Sequence, residues 1–166
     1  MTPGLPSIET RLQNLEDIEA IKRLMYKYWR CLDQKIWAEL PDCFAEDVIA
    51  DYGMPEWRKV GRQTLTDFLY GHDSSPEFQI SHAGHNPEVT LLGPDTAQGY
   101  FKLHDWVVIG GATVMRGFGQ YDNRFARRDG RWQIQHLNLH YTYREEQRVY
   151  VSNQRVLATE AMLNGE

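Results

Sequence analysis

The stretch that decides the fold is residues 113–143, which read TVMRGFGQYDNRFARRDGRWQIQHLNLHYTY. Asp129 and Gly130 lie between two segments in which apolar and polar residues alternate, and Asp-Gly in this position is the favoured sequence of a two-residue hairpin turn. The pattern therefore predicts two antiparallel strands, at 113–127 and 132–143, joined by a tight turn.

The second of these strands changes the face that its apolar residues occupy. Trp132 and Ile134 share one parity, whereas Leu137 and Leu139 have the opposite parity. Successive side chains of a strand point to opposite faces of the sheet, so this change needs an extra residue. It predicts a bulge or a sharp bend near 135–136.

Outward from this hairpin, the other elements are predicted from periodicity and from turn residues. A long helix begins near Thr10, with Gln13 completing a capping box, and its apolar residues recur every three or four positions as far as Leu32. The further predicted elements are a helix at 35–44, a strand at 48–52, a helix at 61–70 and strands at 79–90 and 96–109. Helices followed by a run of antiparallel strands indicate an α+β fold, with the helices packed on one face of a curved sheet.

Length and composition exclude several classes of protein. The 166 residues suffice for one domain, which we place at 8–150, after a loose arm at 1–7 and before a tail at 151–166. A net charge of -5 provides no basic surface for nucleic acid. No apolar stretch approaches the roughly 18 residues of a membrane span, and no signal peptide is visible, so we expect a cytoplasmic protein that binds neither membranes nor nucleic acid. Cys31 and Cys43 form no disulfide framework and lack the spacing of metal ligands.

One acidic residue interrupts an apolar strand face. Asp105 shares that face with Leu103 and Val107 in the predicted strand at 96–109. A carboxylate there is either desolvated, which raises its pKa and lets it act as a general acid, or paired across the sheet as a structural group. The spacing leaves both interpretations open.

Two histidines lie in the predicted strand at 79–90. His82 shares its face with Ile80 and Gly84, whereas His85 points the other way unless the strand is bulged. His82 is either a satisfied polar group or a catalytic base. Because the two histidines lack a third ligand at recognisable spacing, we expect no metal.

The end of the first helix carries two further candidates. Tyr28 lies on the buried stripe, and Asp33 lies where the helix ends. A helix carboxyl terminus disfavours an anion, so Asp33 needs compensation, and a nearby imidazole would provide it. In an equally good interpretation Asp33 caps the next helix by accepting the amide of Lys35 or Ile36. Surface or loop positions are predicted for the remaining histidines considered: His72, His136 and His140.

These candidates lie in segments that resemble SnoaL-like proteins. The segments are Ile18-Glu19-Ala20-Ile21-Lys22, Tyr28-Trp29-Arg30-Cys31-Leu32-Asp33, His82-Ala83-Gly84-His85-Asn86-Pro87-Glu88-Val89-Thr90 and Leu103-His104-Asp105. They are most similar to the bacterial bile acid 7α-dehydratases of that family. Scytalone dehydratases and hexachlorocyclohexane dehydrochlorinases resemble the chain more distantly, sharing the helix-end Asp, the strand His and the late Asp-Gly-x-Trp turn.

The resemblance implies a fold, an assembly and a site. The fold is the cone-shaped α+β barrel named for nuclear transport factor 2, in which helices close a strongly curved sheet around a deep pocket, and the assembly is a homotrimer. Carried over residue by residue, the catalytic Tyr, Asp, His and Asp of the dehydratases fall on Tyr28, Asp33, His82 and Asp105. The candidate substrate-binding residues are Tyr52, Trp57, His85, Leu103, Val107 and Tyr121.

These residues lead to the hypothesis of a lyase that dehydrates a hydrophobic, hydroxylated and carbonyl-activated small molecule, either steroid-like or polycyclic. His82, oriented by Asp33, would remove the proton, while Tyr28 and a protonated Asp105 would assist at the substrate oxygens. Without a glycine-rich phosphate loop or a ligand cluster, no cofactor is expected. The alternatives are a non-catalytic module that binds a hydrophobic ligand and an isomerase or dehydrohalogenase using the same residues.

Overall fold

Two helices pack on a single six-stranded sheet. The computed structural model describes residues 5–110 and 112–148. The elements are α1 (Ile8–Asp33), β1 (Phe44–Asp51), β2 (Lys59–Val60), α2 (Arg62–Asp73), β3 (Gln79–Gly93), β4 (Thr96–Ile109), β5 (Thr113–Arg128) and β6 (Arg131–Arg148). In the described part the strand order is β2-β1-β6-β5-β4-β3, and every neighbouring pair is antiparallel except β1 and β6. This arrangement confirms the predicted α+β fold of helices on a curved sheet.

The hairpin of β5 and β6 forms around the predicted turn. Asp129 and Gly130 have φ values of 51° and 73°, the left-handed backbone that a type I′ turn requires at both positions. The pairing of β6 with β5 passes over Gln135, which is therefore the extra residue of a bulge. The predicted irregularity is confirmed, and it explains why the apolar residues of β6 change parity.

The predicted helix at 35–44 is wrong. Lys35 has a left-handed backbone with φ of 56°, which ends α1 and turns the chain. Within the predicted helix only Leu40–Cys43 is helical, as a short 3-10 helix with Pro41 near its start. β1 consequently begins at Phe44, earlier than the predicted strand at 48–52.

The core lies between α1 and the sheet. The predicted apolar stripe of α1 is buried from Ile21 to Leu32, whereas Leu15 at its start is 65% exposed. A close contact with β3 fixes the depth of the helix. A Cβ added at Gly84 would lie 2.0 Å from the ring of Trp29. The small residue beside His82 therefore makes room for the indole of α1.

A buried ion pair ties the hairpin to α1. Asp17 accepts hydrogen bonds from Arg127 and from Nε1 of Trp132, the latter at 3.1 Å. Burial acts to raise the pKa of Asp17, but the hydrogen bonds from Trp132 and Arg127 outweigh it and lower that pKa. The carboxylate thus joins the end of β5 and the start of β6, on either side of the hairpin turn, to the first half of α1.

Two predictions about the chain's organisation remain without a structural outcome. The predicted tail at 151–166 and residues 1–4 of the predicted arm lie outside the described residues. Within the described part, neither helix combines the length and apolar character that crossing a bilayer demands.

Candidate active site

A cavity of about 480 Å³ lies between the two helices and the sheet. Its volume falls in the range of about 300–1,000 Å³ that is typical of small-molecule sites. Apolar and aromatic side chains form most of its wall, and polar groups reach it from α1, α2, β3 and β6. The polar side chains that matter most for its chemistry are Tyr28, Tyr52, His72, Asp73, His82 and Tyr141.

The imidazole of His82 contacts the carboxylate of Asp33. Nδ1 of His82 lies 2.6 Å from Oδ1 of Asp33, and the backbone N–H of His82 donates to both carboxylate oxygens at 3.2 Å. The side chain of His82 is only 5% exposed, while that of Asp33 is 25% exposed. Because Nδ1 is engaged, Nε2 is the ring nitrogen left for the cavity that His82 lines.

The alternative role of Asp33 as a cap is wrong. The amides of Lys35 and Ile36 donate to the carbonyls of Leu32 and Cys31, respectively. These main-chain bonds close the last turn of α1 without Asp33. The compensation that a carboxylate at a helix end requires comes from the N–H groups of His82 instead.

Asp105 lies directly opposite His82 on the neighbouring strand. It is 2% exposed and does not line the cavity itself. The hydroxyl of Tyr141, which does line it, donates to Oδ2 of Asp105, and Oδ1 has no partner among the described residues. Burial raises the pKa of the Tyr141 hydroxyl, which keeps it protonated at neutral pH.

Gly117 on β5 leaves the space that this pair occupies. A Cβ at Gly117 would lie 2.4 Å from Oδ1 of Asp105 and 2.4 Å from Cε1 of Tyr141. Such distances are far shorter than van der Waals contact. The glycine is thus a condition for the contact between Asp105 and Tyr141.

Two tyrosine hydroxyls meet on the same wall of the cavity. Those of Tyr28 and Tyr52 are 3.2 Å apart. Burial raises the pKa of both groups, so both remain neutral hydrogen-bond donors at physiological pH. Tyr121 packs edge-on against Tyr28, with ring centroids 6.3 Å apart, and fixes the orientation of its ring.

The predicted substrate-binding residues divide into two groups. Four of the six line the cavity: Tyr52, Trp57, Val107 and Tyr121. His85 and Leu103 do not. His85 is exposed, because it lies three positions after His82 and side chains alternate along β3. Leu103 is 2% exposed and packs within the core cluster without reaching the cavity.

The sequence analysis missed other residues of the wall. His72, for which a surface or loop position was predicted, lines the cavity with its Nδ1 2.5 Å from Oδ1 of Asp73. The available signal was the spacing of four between Phe68 and His72, which places them on one face of α2. Arg144 also lines the cavity, but the predicted strand ended one residue before it.

Grouped metal ligands were sought among residues 5–110 and 112–148. Within these ranges, no three His, Cys, Asp or Glu side chains are placed so that they could hold a metal ion. That the protein works without a metal or another cofactor stays a prediction.

Comparisons with known proteins agree with this architecture. Residues 13–138 match the sequence model of a family described as the SnoaL-like domain. A solved scytalone dehydratase candidate from Novosphingobium aromaticivorans has a TM-score of 0.75 and 24% identity, over 85% of this chain and 94% of that one. A type 2 hexachlorocyclohexane dehydrochlorinase has a TM-score of 0.74 and 19% identity, over 86% and 95%.

A third solved structure carries a different assignment. It is an aromatic ring hydroxylase candidate from Novosphingobium aromaticivorans, with a TM-score of 0.71 and 21% identity over 81% of this chain and 94% of that one. At these identities the likeness shows the fold alone. The fold supports a ligand-binding or catalytic module, and the chemistry has to be argued from the site.

Proposed function

We propose that this chain, which belongs to the SnoaL-like family, is a lyase that eliminates water, without a cofactor, from an apolar hydroxylated small molecule with a carbonyl or conjugated group. The observation that carries the proposal is the contact of 2.6 Å between His82 and Asp33 at the wall of a mostly apolar cavity. A carboxylate that binds one ring nitrogen makes the other nitrogen a positioned base.

In the proposed reaction, Nε2 of His82 takes a proton from the carbon next to the activating group. The electrons of that C–H bond form a carbon–carbon double bond, and the bond from the neighbouring carbon to its hydroxyl oxygen breaks. Asp33 holds the tautomer and stabilises the imidazolium that results. Tyr28 donates a hydrogen bond to the developing negative charge on the substrate oxygen.

The departing hydroxyl needs a proton to leave as water. We assign it to the hydroxyl of Tyr141, which lines the cavity: it gives its proton to the leaving oxygen, while the protonated form of Asp105, bonded to it through Oδ2, replaces that proton. The cycle closes when His82 releases its proton to solvent and Asp105 takes one up again. The apolar wall favours the carbon skeleton of the substrate and excludes water, which strengthens each of these polar contacts.

The experiment compares His82→Ala and Asp33→Asn with the wild type on a panel of hydroxysteroids that carry a carbonyl β to the hydroxyl. Loss of a positioned base or of its carboxylate partner is expected to lower kcat by about 10² to 10⁴-fold. Mass spectrometry measures the product that has lost water. His85→Ala is the matched control, since His85 lies on the same strand but is exposed. Wild-type turnover in both variants would end the proposal.

Two other functions use the same cavity and give different products. A dehydrohalogenase, the activity named for one of the solved structures, would release chloride from a chlorinated substrate and leave the hydroxysteroids unchanged. A binding module would show saturable binding and no product. Analysis of products from both substrate classes separates the three functions.

A further inference from the structure

A second His–Asp pair lines the cavity, and the proposed reaction does not use it. His72 and Asp73 are the last two residues of α2, and Nδ1 of His72 lies 2.5 Å from Oδ1 of Asp73. The side chain of Asp73 is 8% exposed, whereas that of His72 is 45% exposed. Since the side chain of His82 is only 5% exposed, His72 lies nearer to solvent, at the mouth of the cavity.

Aromatic rings hold the imidazole of His72 in place. Its centroid lies 5.8 Å from that of Trp57, 5.9 Å from that of Phe68 and 5.3 Å from that of Phe78. All three aromatic residues line the cavity. With the ring packed in this way and Nδ1 bound to Asp73, Nε2 is the nitrogen that remains for a ligand.

The main chain that carries this pair is fixed by Lys35. Its ammonium donates to the carbonyls of Asp73 at 3.0 Å and of Phe78 at 2.8 Å, and to that of Ser75. A cation at the carboxyl end of α2 is also favourable for the helix dipole. Lys35 stands two residues after Asp33, so one short segment of chain supports both His–Asp pairs.

The pair presents a hydrogen-bond donor to the cavity. Unlike the buried His82, His72 is 45% exposed and lies in the last turn of α2, where the helix dipole favours a cation. The hydrogen bond to Asp73 also raises the pKa of His72. A protonated imidazole carries N–H groups on both nitrogens. An N–H at Nε2 binds an acceptor oxygen of the ligand. The hydrogen bond is stronger when the acceptor is charged, as in a carboxylate, than when it is a neutral hydroxyl or carbonyl.

We propose that His72 and Asp73 form a second substrate-binding subsite, which takes a carbonyl or carboxylate oxygen at the end of the substrate remote from the reacting carbon. This inference rests on the proposed function, because it assumes that the same molecule reaches His82. It narrows the substrate class to an apolar skeleton that carries oxygen at both ends.

Three steroid probes test the subsite by isothermal titration calorimetry. Androst-4-en-3-one carries oxygen at one end, while androst-4-ene-3,17-dione and 3-oxoandrost-4-ene-17β-carboxylate add a carbonyl or a carboxylate at the other. Wild-type protein is expected to bind at least one of the latter two about tenfold more tightly than the 3-one, the gain of one hydrogen bond. Whichever of the two binds more tightly shows whether the subsite takes a carbonyl or a carboxylate oxygen.

In His72→Phe this preference is expected to fall to less than about twofold, with the affinity for the 3-one unchanged, since the ring and its packing are retained. His140→Phe is the control, because His140 is exposed on β6 away from the cavity. Should His72→Phe not fold, Asp73→Asn tests the same pair, since a neutral amide no longer polarises the imidazole. It is expected to reduce the preference to about threefold.

A wild-type protein that does not distinguish the probes, whether it binds all or none, would overturn the subsite, and so would a His72→Phe variant that keeps the preference. The readout is binding, so an absence of dehydration leaves the result unaffected. Conversely, if the subsite fails this test, the expected loss of turnover in His82→Ala and Asp33→Asn still stands as the test of the proposed function. The two proposals can therefore fail separately.

Discussion

At the scale of single residues, the helix-end position of Asp33 indicated an imidazole partner, and the resemblance to SnoaL-like proteins implied that this partner is His82. The two residues are 49 positions apart, and no local pattern joins them. A carboxylate at a helix carboxyl end is unfavourable unless a donor approaches, and the buried N–H groups of β3 need an acceptor. Each residue satisfies the other, and the structure brings them together as expected from the sequence.

Other site residues were not predictable because their position depends on packing between distant elements. The sequence presents His72 and Asp73 as the polar end of a helix, and only the fold brings Trp57 and Phe78 from two other segments against His72. Tyr141 has no sequence signal for its bond to Asp105, since β5 lies between their strands. The catalytic roles of Tyr28, Asp33, His82 and Asp105 stay predictions.

Gly117 tests the role of Asp105 more gently than its removal does. Gly117→Ala is expected to displace the Asp105–Tyr141 pair, because the new Cβ would lie 2.4 Å from both side chains. A displacement of about 1 Å at a reacting group costs about 100-fold in rate. Steady-state kinetics should show kcat lowered by about 10- to 100-fold, with KM changed by less than about threefold.

Gly71→Ala is the control for this variant, since nothing lies within 4 Å of the Cβ that it would add. An unchanged kcat in Gly117→Ala would mean that Asp105 takes no part in the reaction.

At the scale of elements, the packing of α1 on β3 depends on one missing side chain. Gly84→Ala is expected to push Trp29 away from the sheet, because its Cβ would lie 2.0 Å from the indole. Overpacking of this kind costs about 1–3 kcal/mol. Urea denaturation should therefore show a lower free energy of unfolding.

The same measurement on Gly71→Ala supplies the comparison. Replacing a glycine inside a helix is expected to stabilise the protein by about 0.5–1 kcal/mol. If Gly84→Ala proved as stable as the wild type, the close packing of Trp29 against β3 would be wrong.

The elements themselves were predictable to different degrees. The hairpin and the strands before it follow from alternation and from turn residues, which are local signals. The helix predicted at 35–44 failed because Lys35 adopts a left-handed backbone. The three carbonyls that its ammonium binds all come from residues 73–78, which no pattern within 35–44 reveals. The parallel pairing of β1 with β6 joins segments about 90 residues apart, and no pattern within either segment announces it.

At the scale of the whole molecule, an aromatic surface covers the outer face of β4, β5 and β6. We call it the outer patch and define it by Trp106, Phe118 and Tyr143, whose exposures are 51%, 47% and 51%. His104 stacks on Phe118 with centroids 4.4 Å apart, and the guanidinium of Arg116 lies 5.0 Å from the ring of Trp106. Clustered exposed aromatic residues are typical of a surface that a partner covers.

The homotrimer implied by family resemblance would cover such a surface, and we expect the outer patch to be its interface. The double variant Trp106→Lys, Phe118→Lys places charges in that interface and is expected to give monomers. Size-exclusion chromatography with light scattering measures the mass. Leu92→Lys, at a residue that is 57% exposed outside the patch, should leave the assembly unchanged. A monomeric wild type, or a double variant that keeps its assembly, would contradict this expectation.

The position of β6 in the sheet has a consequence for folding during synthesis on the ribosome. This strand pairs with β1 on one side and with β5 on the other, and it supplies Leu139, Tyr141 and Arg144 to the cavity. During translation, α1 and its apolar face therefore leave the ribosome long before β6, the strand that completes the sheet covering that face, has been synthesised. Until β6 has been synthesised the hydrophobic core of the nascent chain is incomplete, so chaperones that bind exposed apolar surfaces should matter most during that interval.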